Sequence, residues 1–320
     1  MTVFKLADDK QPQIDAITAL LDRPDLDRRT RTLIDDEIWA IRAGVRGERE
    51  AAYEIDFGYA DRDGFAVIHD LRLEVNGRVA QIDHLILNRV LDAWVCETKA
   101  FSEGVRIDER GHWYRYAGRK TYGMPSPVHQ NANHVEVLKD LVDSGAIALP
   151  RRVVTLKPAW YPVVLVSNGA KIDVPRTANA RRSIDGLDTV IKVEELRDRI
   201  YDSYNDTMRT LRALPKLVGV DAIGEIAKQL VELHRPAAFD WPARFGLPPA
   251  PRSAATVEKN VFPATKGART PSSATCHSCG VWVTSKVAAY AAEHKEEFGG
   301  RILCFNCQRR ERRMPSRRAS

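Results

Sequence analysis

The sequence lacks an apolar run of the roughly 18 residues that a membrane-spanning helix requires, and its N-terminus lacks the apolar segment of a signal peptide. These absences predict a cytoplasmic protein without a membrane partner. Cysteine is scarce, with five in 320 residues, but four of the five fall in the last 45 residues as two close pairs. Because disulfides are rare in a reducing compartment, such pairs indicate a metal site.

The composition is that of a globular protein, with 44% hydrophobic and 29% charged residues and a mild formal net charge of +6. Positive charge is concentrated in the last thirteen residues, which contain one acidic residue and six arginines: Arg309, Arg310, Arg312, Arg313, Arg317 and Arg318. Such a tail suits the phosphate backbone of a nucleic acid. The alternative is a solvated tail that has no partner.

The pattern of apolar residues predicts an α/β fold. Helical spacing over 13–43 is followed by Gly44 as a helix end and by a second helix that opens at Gly47. Stretches of β-prone residues predict strands at 65–75, 79–87, 93–98 and 189–193, and a shorter pair near 105–108 and 112–116. The continuous apolar run 161–166 predicts a strand that is covered on both faces. Asn76-Gly77 predicts a hairpin turn. Later helices are predicted over 127–144, 194–213 and 221–235.

Polar residues interrupt two of these strands at positions otherwise suited to a core. Asp83 lies inside the apolar stretch 79–87, and Glu97 and Lys99 end the next strand on one face. If the two strands pair as a hairpin, Asp83 comes close to Glu97, and such carboxylates repel each other unless a cation lies between them. Hard oxygen ligands suit Mg²⁺ or Mn²⁺, which would activate water at a phosphate, while Lys99 stabilises charge.

Two further polar residues, Glu48 and Gln130, are expected to face the same region, because each lies near the apolar face of a predicted helix. Each residue alone also has an ordinary explanation. Glu48 suits a helix N-terminus, Gln130 suits a local cap, and Glu97 with Lys99 suits an exposed strand. Together they favour a site, because polar residues aimed at one core region are costly without one.

In their order along the chain these residues resemble the NERD (nuclease-related) domain, a branch of the PD-(D/E)xK phosphodiesterase superfamily. The resemblance covers about 44–145 and rests on four motifs: Gly47-Glu48, Gln81-Ile82-Asp83-His84, Cys96-Glu97-Thr98-Lys99 and Ser126-Pro127-Val128-His129-Gln130-Asn131. Two positions depart from the family pattern, since Cys96 replaces an aliphatic residue and Ser126 replaces the usual asparagine before proline.

The resemblance implies a restriction-endonuclease-like mixed sheet flanked by helices, and hydrolysis of nucleic acid with a divalent metal. It implies that Asp83 and Glu97 bind the Mg²⁺ or Mn²⁺ and that Lys99 is the catalytic lysine. Glu48 would be the helix carboxylate that supports the metal, and Gln130 would complete the site. DNA is the expected substrate rather than RNA.

The C-terminal cysteines form two C-x₂-C pairs separated by 24 residues. This spacing predicts a small zinc-ribbon-like module that binds Zn²⁺ through four thiolates: Cys276, Cys279, Cys304 and Cys307. A closed set of four ligands favours a structural zinc, with His277 and His294 as alternative ligands. A redox dithiol pair is the competing interpretation.

These features divide the chain into an N-terminal helical segment (1–43), a nuclease domain (44–235, core 44–168), a proline-rich linker (236–275), the zinc module (276–307) and the basic tail (308–320). The sequence thus predicts a DNA nuclease whose zinc module and tail help to bind nucleic acid. Two other classes stay open: a nucleic-acid-binding adaptor without catalysis, and a module that binds another protein through its zinc ribbon. The helices of 146–235 offer surface for a homodimer or a lid.

Overall fold

The computed structural model describes residues 2–150, 157–209, 217–248, 274–277, 282–283, 290–291 and 294–303. The chain divides into two compact units, Met1–Pro251 and Arg252–Ser320. None of the helices in the described ranges is long and apolar enough to cross a membrane.

The first unit has a mixed α/β architecture. Its strands are β1 (Val3–Lys5), β2 (Phe65–Val75), β3 (Arg78–Asn88), β4 (Asp92–Lys99), β5 (Gly104–Ile107), β6 (Trp113–Ala117), β7 (Lys120–Met124), β8 (Ala159–Val166), β9 (Lys171–Asp173) and β10 (Val190–Lys192). Its helices are α1 (Gln11–Leu20), α2 (Arg28–Tyr59), α3 (Pro127–Asp143), α4 (Ala178–Arg182), α5 (Leu196–Arg209), α6 (Val220–Glu232) and α7 (Trp241–Arg244). The strands form two mixed sheets, in the orders β1-β2-β3-β4-β8-β10 and β7-β6-β5-β9.

The centre of the larger sheet is an antiparallel meander of β2, β3 and β4, which confirms the three strands predicted there. Asn76 and Gly77 connect the first two strands with positive φ angles of 51° and 76°. Both central residues of a two-residue hairpin turn of this kind require such angles. Strand β8 then pairs parallel to β4, after a connection that includes α3.

Helices cover both faces of the larger sheet. Helices α2 and α5 bury one set of side chains against it: Ala51, Ile55, Tyr59, Leu196 and Ile200. Helices α3 and α6 bury another set against the opposite face: Val135, Leu138, Leu141, Ile223 and Ile226. Each fully buried Ile or Leu contributes about 1.5–3 kcal/mol, so the two-sided core holds the sheet in place.

The β2–β3 hairpin is irregular at the level of Asp70 and Asp83. The buried side chains on the α3 face shift by one residue there in both strands, from Ala66 and Ile68 to Leu71 and Leu73, and from Ala80 and Ile82 to Leu85 and Leu87. A regular strand keeps alternate residues on one face. Asp70 has a φ of 52°, which is uncommon for a residue other than glycine. Both aspartates therefore lie where the regular alternation of the hairpin changes.

The smaller sheet consists of β5, β6 and β7, which follow β4 in the chain, and of β9, which follows β8. Val105, Ile107 and Trp113 pack its inner face against Val164 of β8. Strands β5 and β6 agree with the predicted pair, whereas β7 was not predicted. Strand β7 is an edge strand with mostly exposed side chains, so it lacks the apolar alternation from which strands are recognised.

Helix α2 is a single helix of 32 residues, so the predicted helix end at Gly44 and the new start at Gly47 are wrong. Asp27 caps its N-terminus by accepting a hydrogen bond from the Thr30 N–H at 2.6 Å. A Cβ atom at position 47 would lie 2.5 Å from the Cβ atom of Ala100, just beyond β4. Glycine at position 47 therefore permits a close approach of helix and strand that any side chain would prevent.

Segments on both sides of the predicted nuclease domain pack into the first unit. Strand β1 joins the larger sheet beside β2, an element that the prediction of a helical segment over 1–43 did not include. Trp241, inside the predicted linker, packs into a cluster with residues of α1 and α2: Ile14, Ile17, Leu20, Ile34 and Ile38. Residues 249–273 of the predicted linker lie outside the described residues, and its last two residues, Ala274 and Thr275, form a short strand.

The second unit contains β11 (Ala274–Thr275) and β12 (Trp282–Val283), which pair antiparallel, and a short helix α8 (Lys295–Phe298). A small core contains Cys276, Ala291, Phe298 and Leu303. The His277 N–H donates to the Ile302 carbonyl at 2.8 Å, and the Ile302 N–H donates to His277 Nδ1 at 3.1 Å. These bonds hold His277, the residue after Cys276, against Ile302, which precedes the second cysteine pair by two positions in the sequence.

Candidate active site

A cleft of about 880 Å³ in the first unit is lined by residues of α2, β3, β4, the segment after β4, β6 and α3. All five residues predicted for the site line this cleft: Glu48, Asp83, Glu97, Lys99 and Gln130. They come from four separate elements, α2, β3, β4 and α3. The fold thus brings together residues that are distant in the chain.

Asp83 and Glu97 are neighbours across the β3–β4 pair. The register pairs His84 with Cys96, so its next step places Asp83 opposite Glu97. Side chains in such a pair have Cβ atoms about 4.5–5.5 Å apart. The Thr98 N–H donates a hydrogen bond to Asp83 Oδ2 at 2.7 Å. This bond ties the Asp83 carboxylate to β4, beside Glu97.

Lys99 connects the carboxylates with helix α3. Its Nζ donates to Glu97 Oε1 at 2.6 Å and to Gln130 Oε1 at 3.2 Å. The Glu97 side chain is 3% exposed, whereas the Lys99 side chain is 25% exposed. The ammonium group therefore reaches from a buried carboxylate toward the open cleft.

Glu48 enters the cleft from α2, one residue after the contact between Gly47 and Ala100. Glycine at position 47 leaves room for Ala100 beside the helix, so Glu48 lies on α2 close to the end of β4. Glu48 is partly buried, and burial raises the pKa of its carboxyl group. Asp70 and Glu97 raise this pKa further, while Lys10 and Lys99 act in the opposite direction.

All three carboxyl groups of the cleft share this raised pKa. Burial is the largest cause of the raised pKa of Asp83, and the negative charges of Glu97 and Glu48 add to it. Burial also raises the pKa of Glu97, although Lys99 and Gln130 lower it in part. Lys99 thus lies among three carboxyl groups in a poorly solvated place, where their ionised forms repel one another.

The donor set fits a hard divalent cation. Within the described ranges, Glu97 Oε2 is buried without a hydrogen-bond partner, and His134 Nδ1 lies 3.6 Å from it, also without one. No group of three or more His, Cys, Asp and Glu side chains in those ranges is placed to hold a metal by itself. Mg²⁺ usually takes one or two carboxylates together with waters and phosphate oxygens, and Asp83 and Glu97 match this number of carboxylate ligands.

Helix α3 contributes two buried polar residues that sequence reasoning missed. Asn131 Nδ2 donates to the carbonyl oxygens of Val95 and Val163, at 2.8 and 3.0 Å, and so fixes α3 against β4 and β8. His134 is buried beside Glu97, and burial lowers its pKa to about 4. Gln130 was expected to point toward the core, but its side chain is exposed. The first turn of α3 lies at the cleft, where Gln130 meets Lys99 instead of the core.

Asp70, Lys10 and Gln81 form a second polar group behind Glu48 that was also missed. Lys10 Nζ lies 2.5 Å from Asp70 Oδ2, and Gln81 Nε2 donates to Asp70 Oδ1 at 3.2 Å. The β2–β3 register places Asp70 between the pairs His69–His84 and Leu71–Ile82, and so opposite Asp83. Asp70 therefore adds a further buried carboxylate, neutralised by Lys10, to the row that continues through Asp83 to Glu97.

Most of the predicted zinc and tail residues lie outside the described residues. These are Cys279, Cys304, Cys307, Arg309, Arg310, Arg312, Arg313, Arg317 and Arg318. Cys276 is described and is 2% exposed. The Nδ1 atom of His277 accepts a backbone hydrogen bond, and His294 Nδ1 lies 2.9 Å from the Tyr290 carbonyl oxygen. Both histidines thus already use one ring nitrogen.

The fold and the cleft define a mixed α/β domain that gathers acids and a lysine at the end of a central strand. Residues 43–166 match the family model of the nuclease-related domain, NERD. The matched range starts within α2 before Glu48 and ends with β8, so it contains all five residues of the predicted site. This stretch of the chain therefore carries a nuclease-related domain. No curated protein and no solved structure matches the chain.

Proposed function

We propose that this chain is a divalent-metal-dependent nuclease that hydrolyses phosphodiester bonds of DNA. One observation carries the proposal: Asp83 and Glu97, on adjacent strands, meet Lys99 in one cleft within the nuclease-related domain. The raised pKa values of Glu48, Asp83 and Glu97 support it, because their ionised forms repel one another and a bound cation would remove that repulsion.

Asp83 and Glu97 would hold the metal. When bound there, Mg²⁺ or Mn²⁺ supplies Lewis-acid polarisation of a phosphoryl oxygen and lowers the pKa of water. Glu97 suits this task because its Oε1 atom holds Lys99 while its Oε2 atom remains available. Glu48 supports the same region from α2 by adding a third carboxylate.

Lys99 supplies positive charge where negative charge develops on the phosphate. An ammonium group has three N–H donors, and within the described ranges two of them bind Glu97 and Gln130. The third is left for a phosphate oxygen or for the attacking water. Gln130 positions the ammonium group, and the preorganised donor then stabilises charge without reorganisation during the reaction.

His134 does not serve as an acid in this arrangement at neutral pH. Its pKa of about 4 keeps the imidazole neutral there. A neutral ring beside Glu97 limits the positive charge near that carboxylate to Lys99 and a bound cation. Glu97 thereby stays available as a metal ligand.

The zinc module and the basic tail complete the proposal. The pairing of His277 with Ile302 supports it, because it holds the residue after Cys276 against a residue that precedes Cys304 by two positions in the sequence. We expect one tightly bound Zn²⁺ per chain, held by Cys276 and the three later cysteines. Elemental analysis of the purified chain beside Cys276→Ser measures this, and equal zinc in both would contradict the ligand assignment.

A cleavage assay tests the nuclease proposal. Labelled DNA is incubated with the full chain in Mg²⁺, Mn²⁺ or EDTA, beside Asp83→Asn and Lys99→Met. Loss of one electrostatic stabiliser typically lowers a rate about 10²–10³-fold, so each variant should lose at least that much activity. Lys139→Met is the matched control, because Lys139 lies on α3 and pairs with Glu136 at the surface.

Two results would contradict the proposal. Cleavage by both variants at the wild-type rate would show that the site lies elsewhere. DNA binding by a folded wild-type chain, without cleavage in either metal, would favour the adaptor function. Circular dichroism of each variant shows whether the fold is retained.

A further inference from the structure

The nucleic-acid strand that fits this cleft is the subject of a second proposal, which rests on the proposed nuclease function. We infer that the cleft takes a single strand, with its bases against Trp39 of α2 and its phosphates against Arg115 of β6 and Lys99. Trp39 and Arg115 belong to two walls of the cleft. The α2 wall consists of Leu33, Asp36, Glu37, Trp39 and Ala40, and the β6 wall consists of Arg115 and Tyr116.

Trp39 is an exposed aromatic side chain in the cleft. It is 59% exposed and lies on the same helix as Glu48, which lines the same cleft. Tryptophan offers a large, flat apolar ring to a partner, and Trp39 presents it inside the cleft rather than on an open surface. Nucleic-acid bases stack on such rings without sequence preference. A base of a strand in the cleft is therefore a suitable partner for Trp39.

The two walls differ in charge. On the α2 wall, Asp36 is exposed, and Glu37 is bound by Arg244 at 2.9 Å. The β6 wall has Arg115, which has no carboxylate partner among the described residues. Phosphates are attracted to the β6 wall and to Lys99, and they are repelled by Asp36. A strand in the cleft therefore turns its phosphates away from α2 and its bases toward it.

Arg115 is held in a position that suits a phosphate. Its guanidinium carbon lies 5.0 Å from the centre of the Tyr122 ring, and the register of β6 and β7 pairs the two residues directly. Stacking on the tyrosine orders the guanidinium plane. The donors at its edge stay available for phosphate oxygens, which arginine binds in a bidentate manner.

The difference in charge between the two walls favours a single strand over a duplex. A duplex carries phosphates along both strands and keeps its base faces stacked inside, so it would bring phosphate toward Asp36 and leave Trp39 uncovered. A single strand exposes its base faces and has one phosphate backbone. The single strand satisfies both walls at once.

Binding measurements in EDTA test the inference without cleavage. The full chain is titrated into a fluorescently labelled single-stranded oligodeoxynucleotide and into the duplex of the same sequence, with anisotropy as the readout. The wild type should bind the single strand more tightly. Trp39→Ala should weaken single-strand binding at least about fivefold, while Tyr201→Ala, an equally exposed aromatic on α5 outside the cleft, should have no effect.

Two further variants test which wall of the cleft the phosphates face. Arg115→Met should reduce the slope of log affinity against log salt by about 0.7, the value for one phosphate contact with a single strand. Asp36→Asn should raise duplex affinity roughly two- to fivefold, because it removes one surface repulsion. Quenching of tryptophan fluorescence by the single strand should be smaller in Trp39→Phe than in the wild type.

The inference is overturned if the wild type prefers the duplex, or if Trp39→Ala binds the single strand as tightly as the wild type. Failure of the nuclease proposal looks different, since a chain that binds single strands through Trp39 but never cleaves them contradicts catalysis alone. A chain that cleaves duplex through Asp83 and Lys99, with no effect of Trp39→Ala, contradicts the strand preference alone.

Discussion

Replacing Asp83 with asparagine should stabilise the metal-free protein while it removes activity. Asparagine has nearly the same shape, and its side-chain oxygen can still accept the hydrogen bond from the Thr98 N–H. What changes is the charge opposite Glu97. Two unit charges about 5 Å apart repel by about 3 kcal/mol at an effective dielectric constant of about 20.

Lys99 offsets part of this repulsion through its bond with Glu97. We therefore expect Asp83→Asn to raise the free energy of unfolding by about 1–2 kcal/mol, which corresponds to roughly 2–8 °C in melting temperature for a unit of this size. The gain depends on pH. The folded-state pKa of Asp83 lies well above 3.8, so the stability of the wild type falls as pH rises through it, and the gain should grow toward alkaline pH.

Thermal unfolding in EDTA at several pH values measures this effect, with Asp188→Asn, at an 82% exposed side chain, as the control. Addition of Mg²⁺ should then stabilise the wild type by binding to the folded state, and should leave Asp83→Asn almost unchanged. A variant that melts below the wild type at every pH in EDTA would refute the account of charge repulsion. An equal gain from Mg²⁺ in both proteins would refute Asp83 as a ligand.

Three further predictions follow from other contacts. Gly47→Ala should destabilise the fold by about 1–3 kcal/mol through overpacking and should slow cleavage. Gly58→Ala is the control on the same helix, because its Cβ would make an ordinary contact with the Arg197 side chain at 3.5 Å, outside the cleft, and it should do neither in melting and cleavage assays. Asn131→Ala should cost about 1–3 kcal/mol in urea unfolding, because two buried carbonyl groups lose their donor. Lys5 and His234 lower the pKa of Asp8 against the effect of burial. Asp8 should therefore stabilise the protein above pH 3.8 and lose that effect as pH falls. In Asp8→Asn, the melting temperature should consequently fall less steeply between neutral and acidic pH than in the wild type.

The central hairpin was predictable because its signals are local. Alternating apolar residues and the Asn76-Gly77 turn fix the register of β2 and β3, and the register places Asp83 and Glu97 together. The helix break near Gly44 was wrong for a reason that is not local. Glycine weakens a helix by about 1 kcal/mol, but the packing of Gly47 on Ala100 depends on a residue more than fifty positions away.

The second polar group could not be derived from spacing alone. Lys10 and Asp70 are sixty residues apart. Their pairing depends on β1 lying beside β2, and no short sequence motif predicts that strand pairing. The position of Gln130 shows a related limit of periodicity. Its position along α3 agrees with the buried face of the helix, but helical spacing does not show that the first turn of α3 lies at a cleft. The Gln130 side chain contacts Lys99 instead of the core because of where the fold places that turn.

The direction of the pKa shifts separates this cleft from an ordinary ion-pair network. A carboxylate in a structural ion pair has a lowered pKa, as Asp8 has beside Lys5. The carboxyl groups of Glu48, Asp83 and Glu97 all have raised values, although Lys99 lies among them. Natural folds avoid such unbalanced charge except where function requires it. Under the proposed function, a divalent cation bound beside Asp83 and Glu97 would supply the positive charge that balances these carboxyl groups.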